Sequence, residues 1–294
     1  MEQVSKNWYD KYYKLGFIIP AIMLILSLIY LIIFNIHNGD LIYKDVSLTG
    51  GTVITVFDNK ADTNAIQSAL SSQFLDLHLE KLSDLRTGEQ KGFFIETKVD
   101  VSEVRPILEE YLGYTLNQDN SSIEFSGSAL SVGFYGQLRI AVLLAFLFMA
   151  IVVFITFRTF VPSFAVVLAA FADIIMTIVV VDLLGIQLSL AGVIAFLMLI
   201  GYSVDTDILL TTRLLKNKEG TVNQRIYGAF KTGLTMTLTA IAAVGVSLVI
   251  IYNVSDVLRQ IFSIILIGLG FDIINTWLTN ASILKWYADA KGLS

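Results

Sequence analysis

Six long apolar stretches constrain this chain more than any other feature of its sequence. They cover residues 17–36, 138–157, 163–181, 188–210, 233–252 and 258–280. A helix needs about 20 predominantly apolar residues to cross the roughly 30 Å hydrocarbon core of a bilayer, and each stretch is long enough. The sequence therefore predicts a polytopic membrane protein with six transmembrane helices. The first follows a basic segment and has no small-residue cleavage site after it, so we expect it to be a retained anchor.

The composition agrees with a membrane protein and excludes several other classes. Charged residues make up 15% of the 294 residues and hydrophobic residues 55%, whereas soluble domains carry about 25% charged residues. A soluble enzyme and a nucleic-acid binder are both excluded on this balance. The chain has no cysteine and two histidines, so it cannot form a disulfide, a thiolate nucleophile or a cysteine-based metal site. We expect no cofactor and no metal site.

The distribution of lysine and arginine near the helix ends predicts the orientation, because cytoplasmic loops are enriched in these residues. With the N-terminus inside, the extracytoplasmic helix ends carry only Arg139 and Arg259. The cytoplasmic side then holds Lys6, Lys11, Lys14, Arg158, Arg213, Lys216, Lys218, Arg225, Lys231, Lys285 and Lys291. We therefore expect a multi-pass protein of the plasma membrane with residues 1–16 and 281–294 in the cytoplasm.

An acidic segment at 37–137 separates the first helix from the other five, which occupy 138–280. It has 15 acidic and 7 basic residues, a net charge of −8, and the rest of the chain has a net charge of +3. Its pattern predicts strands over 45–57, 77–85, 92–99 and 121–127, and helices over 63–74 and 101–112. The order βαββαβ is that of a ferredoxin-like α+β domain, which we place on the extracytoplasmic side. Among the remaining connections, the longest is expected over 213–232.

Ionisable residues inside the apolar stretches are the candidates for chemistry. Each costs about 3 kcal/mol at the centre of a membrane helix, so such residues usually face a cavity or a partner. No phosphate-binding glycine-rich motif is present, which argues against nucleotide hydrolysis. The candidate ion-coupling residues are Asp173, Asp205, Asp207, Arg213, Asp272 and Asn275.

Helical geometry separates these candidates. Asp205 and Arg213 are eight residues apart, about two turns, and therefore share a face, whereas Asp207 is rotated by about 200° from Asp205. A carboxyl group in a low-dielectric environment can exchange a proton near neutral pH, so carboxylates and an arginine in one bundle fit a proton or ion path. Two alternatives stay open: Asp207 lies at the depth of the inner headgroups, or Asp173 and Asp272 form structural pairs between helices.

Short motifs around these residues give a family resemblance. Thr49-Gly50-Gly51-Thr52 follows the first helix, and its glycines indicate positive φ or close backbone approach. Gly201-Tyr202-Ser203-Val204-Asp205 lies in the fourth helix. Together with the layout of helices and domain, these motifs resemble the SecF family of the protein-export machinery, a branch of the RND superfamily. The family's bacterial members read N-D-T after the G-Y-S motif, whereas this chain has Asp205-Thr206-Asp207 and resembles archaeal-type members.

The resemblance implies a function and partners. SecF pairs with SecD, and the SecDF complex uses the proton motive force to promote preprotein export, so the implied partners are a SecD-like membrane subunit, the Sec translocon channel and unfolded preprotein. Arg213 falls where the family has a functionally important arginine. The resemblance leaves open which of Asp205 and Asp207 replaces the bacterial acid and whether the coupled ion is a proton or sodium.

Two other functions are weighed against protein export. A stand-alone RND-type exporter of small molecules or lipids, acting as a homo-oligomer, is expected to carry larger outer domains than residues 37–137 provide. An intramembrane aspartyl protease needs an aspartate directly after a G-x-G motif, and here Gly268-Leu269-Gly270 is followed by Phe271 before Asp272. The sequence therefore favours an ion-coupled transport subunit that is not an enzyme.

Overall fold

A computed structural model describes residues 8–71, 73–74, 77–84, 87–126, 128–217, 219–252 and 255–292. In that part of the chain, six helical segments are long and apolar enough to cross a membrane. Five are single helices: α1 (Trp8–Asn38), α5 (Ser128–Phe157), α6 (Phe160–Leu183), α7 (Leu190–Lys216) and α8 (Val222–Ile251). The sixth consists of α9 (Asp256–Ile274), a π-helical turn (Asn275–Asn280) and α10 (Ala281–Ala290). Elements α2 to α4 belong to the inserted domain. Lys6 and Lys218, used above for the orientation, lie outside the described residues.

The bundle has a buried centre and an open side. In the most apolar 18-residue window of each helix, the share of buried residues is 61% in α6 and 50% in α7. It is only 11% in α5 and 6% in α8. Small residues of α6, such as Ala165, Ala169 and Ala172, are almost completely buried. Such residues let neighbouring helices approach closely in a membrane. Within the described chain, α6, α7 and α9 therefore form the packed centre, and α8 has few buried residues in its most apolar window.

The predicted long connection over 213–232 is wrong. Helix α7 continues to Lys216 and α8 begins at Val222, so the two helices are joined by residues 217–221. The reason is a capping box: Thr221 Oγ1 accepts from the backbone N–H of Gln224, and the Gln224 side chain accepts from the N–H of Thr221. This S/T-x-x-E/Q pattern satisfies two free donors at a helix start and is visible in the sequence.

The inserted domain has the predicted βαββαβ order, and the fold class is confirmed. Its elements are a short helix α2 (Val46–Thr49), β1 (Gly51–Val56), α3 (Thr63–Ser71), β2 (His78–Ser83), β3 (Gln90–Thr97), α4 (Val101–Leu112) and β4 (Ser121–Ser126). The four strands form one antiparallel sheet in the order β2-β3-β1-β4. Helices α3 and α4 cover one face of this sheet, and their apolar stripes supply the domain core. The core side chains are Ile54, Val56, Ile66, Leu70, Phe74, Leu79, Phe93, Ile95, Val104, Leu108 and Leu116.

The first predicted strand starts later than expected. Residues 46–49 form α2, because the Asp45 carboxylate caps this turn by accepting from the N–H of Ser47 at 2.8 Å. The connecting segment, residues 43–48, is then fastened to the turn between α6 and α7. The N–H of Leu188 donates to the Tyr43 carbonyl, and the N–H of Asp45 donates to the Leu188 carbonyl. The Ser47 hydroxyl accepts from the N–H of Leu190 at 3.0 Å, so the domain is tied to the start of α7.

Gly50 and Gly51 turn the chain from the connecting segment into β1. Their φ angles are +82° and +150°, which favour glycine. A Cβ on Gly51 would lie 2.3 Å from the carbonyl oxygen of Thr97 and 2.7 Å from Cγ1 of Val46. The second glycine is therefore required by close backbone approach as well as by conformation.

We predict that Gly51→Ala destabilises the domain by about 3 kcal/mol or more, because a methyl group would overlap a backbone carbonyl. Gly88→Ala is the matched control: Gly88 also has a positive φ, +69°, but no atom lies within 4 Å of its Cβ position. Its cost should be about 1 kcal/mol. The measurement is the trypsin resistance of the domain against temperature in the purified chain. Equal losses in the two variants would refute the close-approach argument.

Candidate functional site

Three of the predicted aspartates converge inside the bundle. Asp173 lies on α6, Asp207 on α7 and Asp272 on α9, and the structure gives each of them 0% exposure. These three helices are the ones that pack against one another at the centre. Because a buried carboxyl group is costly without hydrogen-bond donors, the site is defined by the groups that each aspartate contacts.

Asp173 accepts hydrogen bonds from two other helical segments. The Ser203 hydroxyl on α7 donates to Oδ2 at 2.6 Å, and the Asn275 amide on the π-helical turn donates to Oδ1 at 2.7 Å. Asn275 is held in turn by Thr279, whose hydroxyl donates to its Oδ1 at 3.3 Å. Both oxygens of this carboxyl group thus have a neutral donor.

Asp272 and Asp207 continue the polar network. Asp272 accepts from the hydroxyl of Thr276 at 3.1 Å and from that of Thr237 on α8 at 3.4 Å. Asp207 accepts from the Asn280 amide at 2.7 Å through Oδ1. Asp207 Oδ2 and Asn280 Oδ1 are buried and have no hydrogen-bond partner among the described residues. The network therefore has unused acceptor capacity at Asp207.

The π-helical turn supplies most of the donors. Its residues Asn275, Thr276 and Asn280 are completely buried, and they follow Asp272 at intervals of three, four and eight residues. These intervals place side chains on one helical face, where a wider turn brings them all towards α6 and α7. Sequence analysis identified Asn275 but not Thr276, although the spacing from Asp272 was a usable signal for Thr276.

Asp205 lies on a different face of α7 from Asp207. It is exposed, as are Gly201 and Tyr202 one turn earlier. No hydrogen bond or ion pair joins Asp205 to another described residue. It stands 11 residues, about 16 Å, before the end of α7 at Lys216, so it is far from a helix terminus.

Arg213 is directed towards α8. Its Nη1 donates to the carbonyl oxygen of Gly228 at 2.7 Å, and the described residues include no ion pair between Arg213 and Asp205. The functional unit of Asp205 and Arg213 stays a prediction. Separately, the described residues include no group of three or more histidine, cysteine, aspartate or glutamate side chains placed to hold a metal ion.

Known proteins resemble the chain over nearly its whole length. The family described as "Protein export membrane protein SecD/SecF, C-terminal" matches residues 108–290. The protein-export membrane protein SecF of Methanothermobacter thermautotrophicus is 41% identical over 284 residues, 96% of this chain and 94% of the relative. That of Methanocaldococcus jannaschii is 39% identical over 285 residues, 94% and 96% of the two chains. The chain belongs to the SecF family. Membership supports the protein-export function over the exporter and protease alternatives.

A solved structure supports the fold. The crystal structure of SecDF, a translocon-associated membrane protein from Thermus thermophilus, superposes with a TM-score of 0.73 at 17% identity. The match covers 95% of this SecF-family chain and 38% of the SecDF chain, so the solved protein is more than twice as long. A crystal structure of SecDF in a super-membrane-facing form gives a TM-score of 0.62 at 17% identity.

The two motifs that carried the SecF resemblance lie in different parts of the molecule. The Thr49 hydroxyl donates to the Asp45 carbonyl at 2.9 Å, and the Thr52 hydroxyl donates to the Val99 carbonyl at 2.7 Å. These contacts fix the base of the domain around Gly50 and Gly51. In the fourth-helix motif, Ser203 contacts Asp173, while Gly201 and Tyr202 lie on the exposed side of α7. One motif is therefore architectural, and the other contributes to the carboxylate network.

We predict that Asp207→Asn does not destabilise the bundle and raises its free energy of unfolding by up to about 2 kcal/mol. The amide is uncharged and keeps the oxygen that accepts from Asn280, so the variant avoids burying a carboxylate. Asp205→Asn, on the exposed face, is the control and should change little. The measurement is the thermal unfolding midpoint in detergent. A clear drop for Asp207→Asn would mean that the carboxylate makes a net stabilising contribution.

Proposed function

We propose that this SecF-family chain uses the proton or sodium motive force to promote preprotein export by the Sec translocase, and that Asp173, Asp207 and Asp272 carry the coupled ion. One observation carries the proposal: three helices each bury a carboxyl group completely in an apolar bundle. Such groups are rare in membrane spans and mark ion paths. Asp207 also has one buried oxygen without a hydrogen-bond partner among the described residues, which is available to a proton.

The network can respond to the charge of its carboxyl groups. A carboxylate needs donors, whereas a protonated carboxyl group also donates one hydrogen bond. Ser203, Thr237 and Thr276 have hydroxyl groups that rotate to donate or accept, so they can follow either state. Because Ser203 lies on α7 and Asn275 on the π-helical turn, gain or loss of a proton at Asp173 changes the bonds that join α6 to both. Ion binding thereby changes how these helices pack against one another.

A SecD-like subunit is the partner that we propose for the open side of the bundle. Asp205 is exposed at mid-helix on α7, where contact with lipid would be costly. Gly201 has no atom within 4 Å of its Cβ position, and few residues in the most apolar window of α8 are buried. A second helical subunit on this face would cover Asp205, and Gly201 would allow close approach of its helices.

The proposed placement in the cell follows the distribution of lysine and arginine. The chain spans the plasma membrane, both termini are cytoplasmic and residues 37–137 are extracytoplasmic. The domain then lies where preprotein emerges from the translocon channel, which makes unfolded preprotein and the channel the remaining partners of this chain.

The functional test replaces the three aspartates one at a time with asparagine. We expect each variant to lose ion-driven export, because asparagine cannot bind and release a proton at neutral pH. Thr239→Val is the control: its hydroxyl donates to the carbonyl of Thr235 in its own helix at 2.7 Å and should be dispensable. The measurement is preprotein export in energised membrane vesicles, with a protonophore or a sodium ionophore in separate arms. Three asparagine variants with unchanged gradient dependence would contradict the proposal.

The partner test uses two glycines with open Cβ positions. We expect Gly201→Leu to reduce copurification of the SecD-like subunit about tenfold or more, since a leucine would hold the partner helix away. Gly136→Leu on α5 is the matched control, because no atom lies within 4 Å of that Cβ position either. The readout is the amount of partner recovered after gentle solubilisation. Equal recovery with both variants would mean that the partner binds a different face. A homo-oligomer without a second subunit would exclude the proposed partner.

A further inference from the structure

A cleft separates the inserted domain from one end of the helical bundle. Helices α3 and α4 cover one face of the sheet, and the opposite face is directed at the bundle. Because side chains alternate along a strand, that second face carries His78 and Glu80 of β2 and Phe94 and Glu96 of β3. With the turn that precedes α7, the end of α8 and the first part of α9, this face encloses a cavity of about 580 Å³.

An ion pair crosses the cleft and joins the domain to the bundle. Arg259, in the first turn of α9, donates through Nη2 to Glu80 Oε2 at 2.8 Å and through Nη1 to Glu80 Oε1. Such a bidentate pair fixes the orientation of both groups. The Arg259 guanidinium also lies 5.4 Å from the ring centroid of Tyr252 and donates to the Tyr252 carbonyl. The two side chains remain 26% and 24% exposed, so water can compete for the pair.

The charges around the cleft depend on Arg259. The lining residues include three acids, Asp45, Glu80 and Glu96, and Arg259 is the one arginine or lysine among the described residues that line it. His78 Nε2 lies 3.6 Å from Glu80 Oε2. Burial and the nearby charge of Asp45, opposed by His78, raise the pKa of Glu96 to about 7. Without Arg259, the acidic side chains of the sheet face would lie close to Asp45 with little positive charge to offset theirs.

The connecting segment is a second and independent attachment. It binds the turn between α6 and α7 mainly through backbone atoms of Tyr43, Asp45 and Leu188, and Leu48 is buried in the bundle core. Gly50 and Gly51 follow immediately and lead into β1. The chain enters the domain at Gly51 and leaves it after Ser126, which pair with each other in the sheet, and the Glu80–Arg259 pair joins a different edge, β2, to the bundle.

We propose that the Glu80–Arg259 pair is a latch that holds the inserted domain closed over the cleft, and that the domain opens by turning about the edge formed by Gly51 and Ser126 when the pair breaks. The backbone bonds of the connecting segment keep the domain attached during this movement. The latch requires no assumption about the coupled ion or about export.

The test measures access to the cleft. The chain has no cysteine, so Ser263→Cys on α9 places a single thiol among the residues that line the cleft. In this background, Glu80→Gln and Arg259→Gln should each raise the rate of labelling by a water-soluble maleimide about three- to fivefold, the range set by partly exposed ion pairs. The double variant should label no faster than either single variant. The reversed pair, Glu80→Arg with Arg259→Glu, should return towards the parent rate.

Glu124→Gln is the control, since Glu124 is exposed on β4 of the same sheet. Trypsin resistance of the domain shows whether each variant is folded, and because Glu80 and Arg259 lie on different units, either single variant tests the latch. Rates within about 1.5-fold of the parent for the folded single variants, or additive effects in the double variant, would overturn the proposal. Purified protein without an ion gradient is used, so failure here leaves the proposed export function untouched.

Discussion

Burial of carboxyl groups in an apolar bundle is the constraint on which the rest of this structure depends. Each carboxyl group removed from water needs donors close by. Asp173 therefore accepts hydrogen bonds from side chains of α7 and of the π-helical turn, and Asp272 accepts one from a side chain of α8. The helices that provide donors are held at short distances by this requirement, and the small residues of α6 make those distances possible.

The same constraint explains the asymmetry of the bundle. Acids that face inward find partners within the chain, whereas Asp205 faces outward from the same helix and has none among the described residues. A carboxyl group on an exposed face of a membrane helix is costly in contact with lipid, which supports the proposed partner subunit on this face. Helix α8 likewise has few buried residues in its most apolar window. Membership in a family related in fold to a longer SecDF chain agrees with this conclusion.

The sequence predicted those features that rest on periodicity. Six apolar stretches and the βαββαβ pattern follow from local residue order, so the fold class was recoverable without coordinates. The contact between Ser203 and Asp173 was not, because it joins residues 30 positions apart and depends on how two helices are rotated. The π-helical turn was missed because a wider turn leaves no distinct hydrophobic period. The start of α8 was predictable in principle from Thr221 and Gln224, since a capping box is a local signal.

Two of the attachments of the inserted domain lead to helices that carry buried acids. The connecting segment binds the start of α7, which holds Asp207, and Arg259 lies on α9, 13 residues or about 20 Å before Asp272. Gln260, next to Arg259, bonds to Ser189 and to the carbonyl of Gln187, so the starts of α7 and α9 are also joined to each other. A helix moves nearly as a rigid body along its axis. If packing at the carboxylates changes, the displacement is therefore expected to reach the domain through these two helices, and displacement of α9 relative to α7 would act on the Glu80–Arg259 pair.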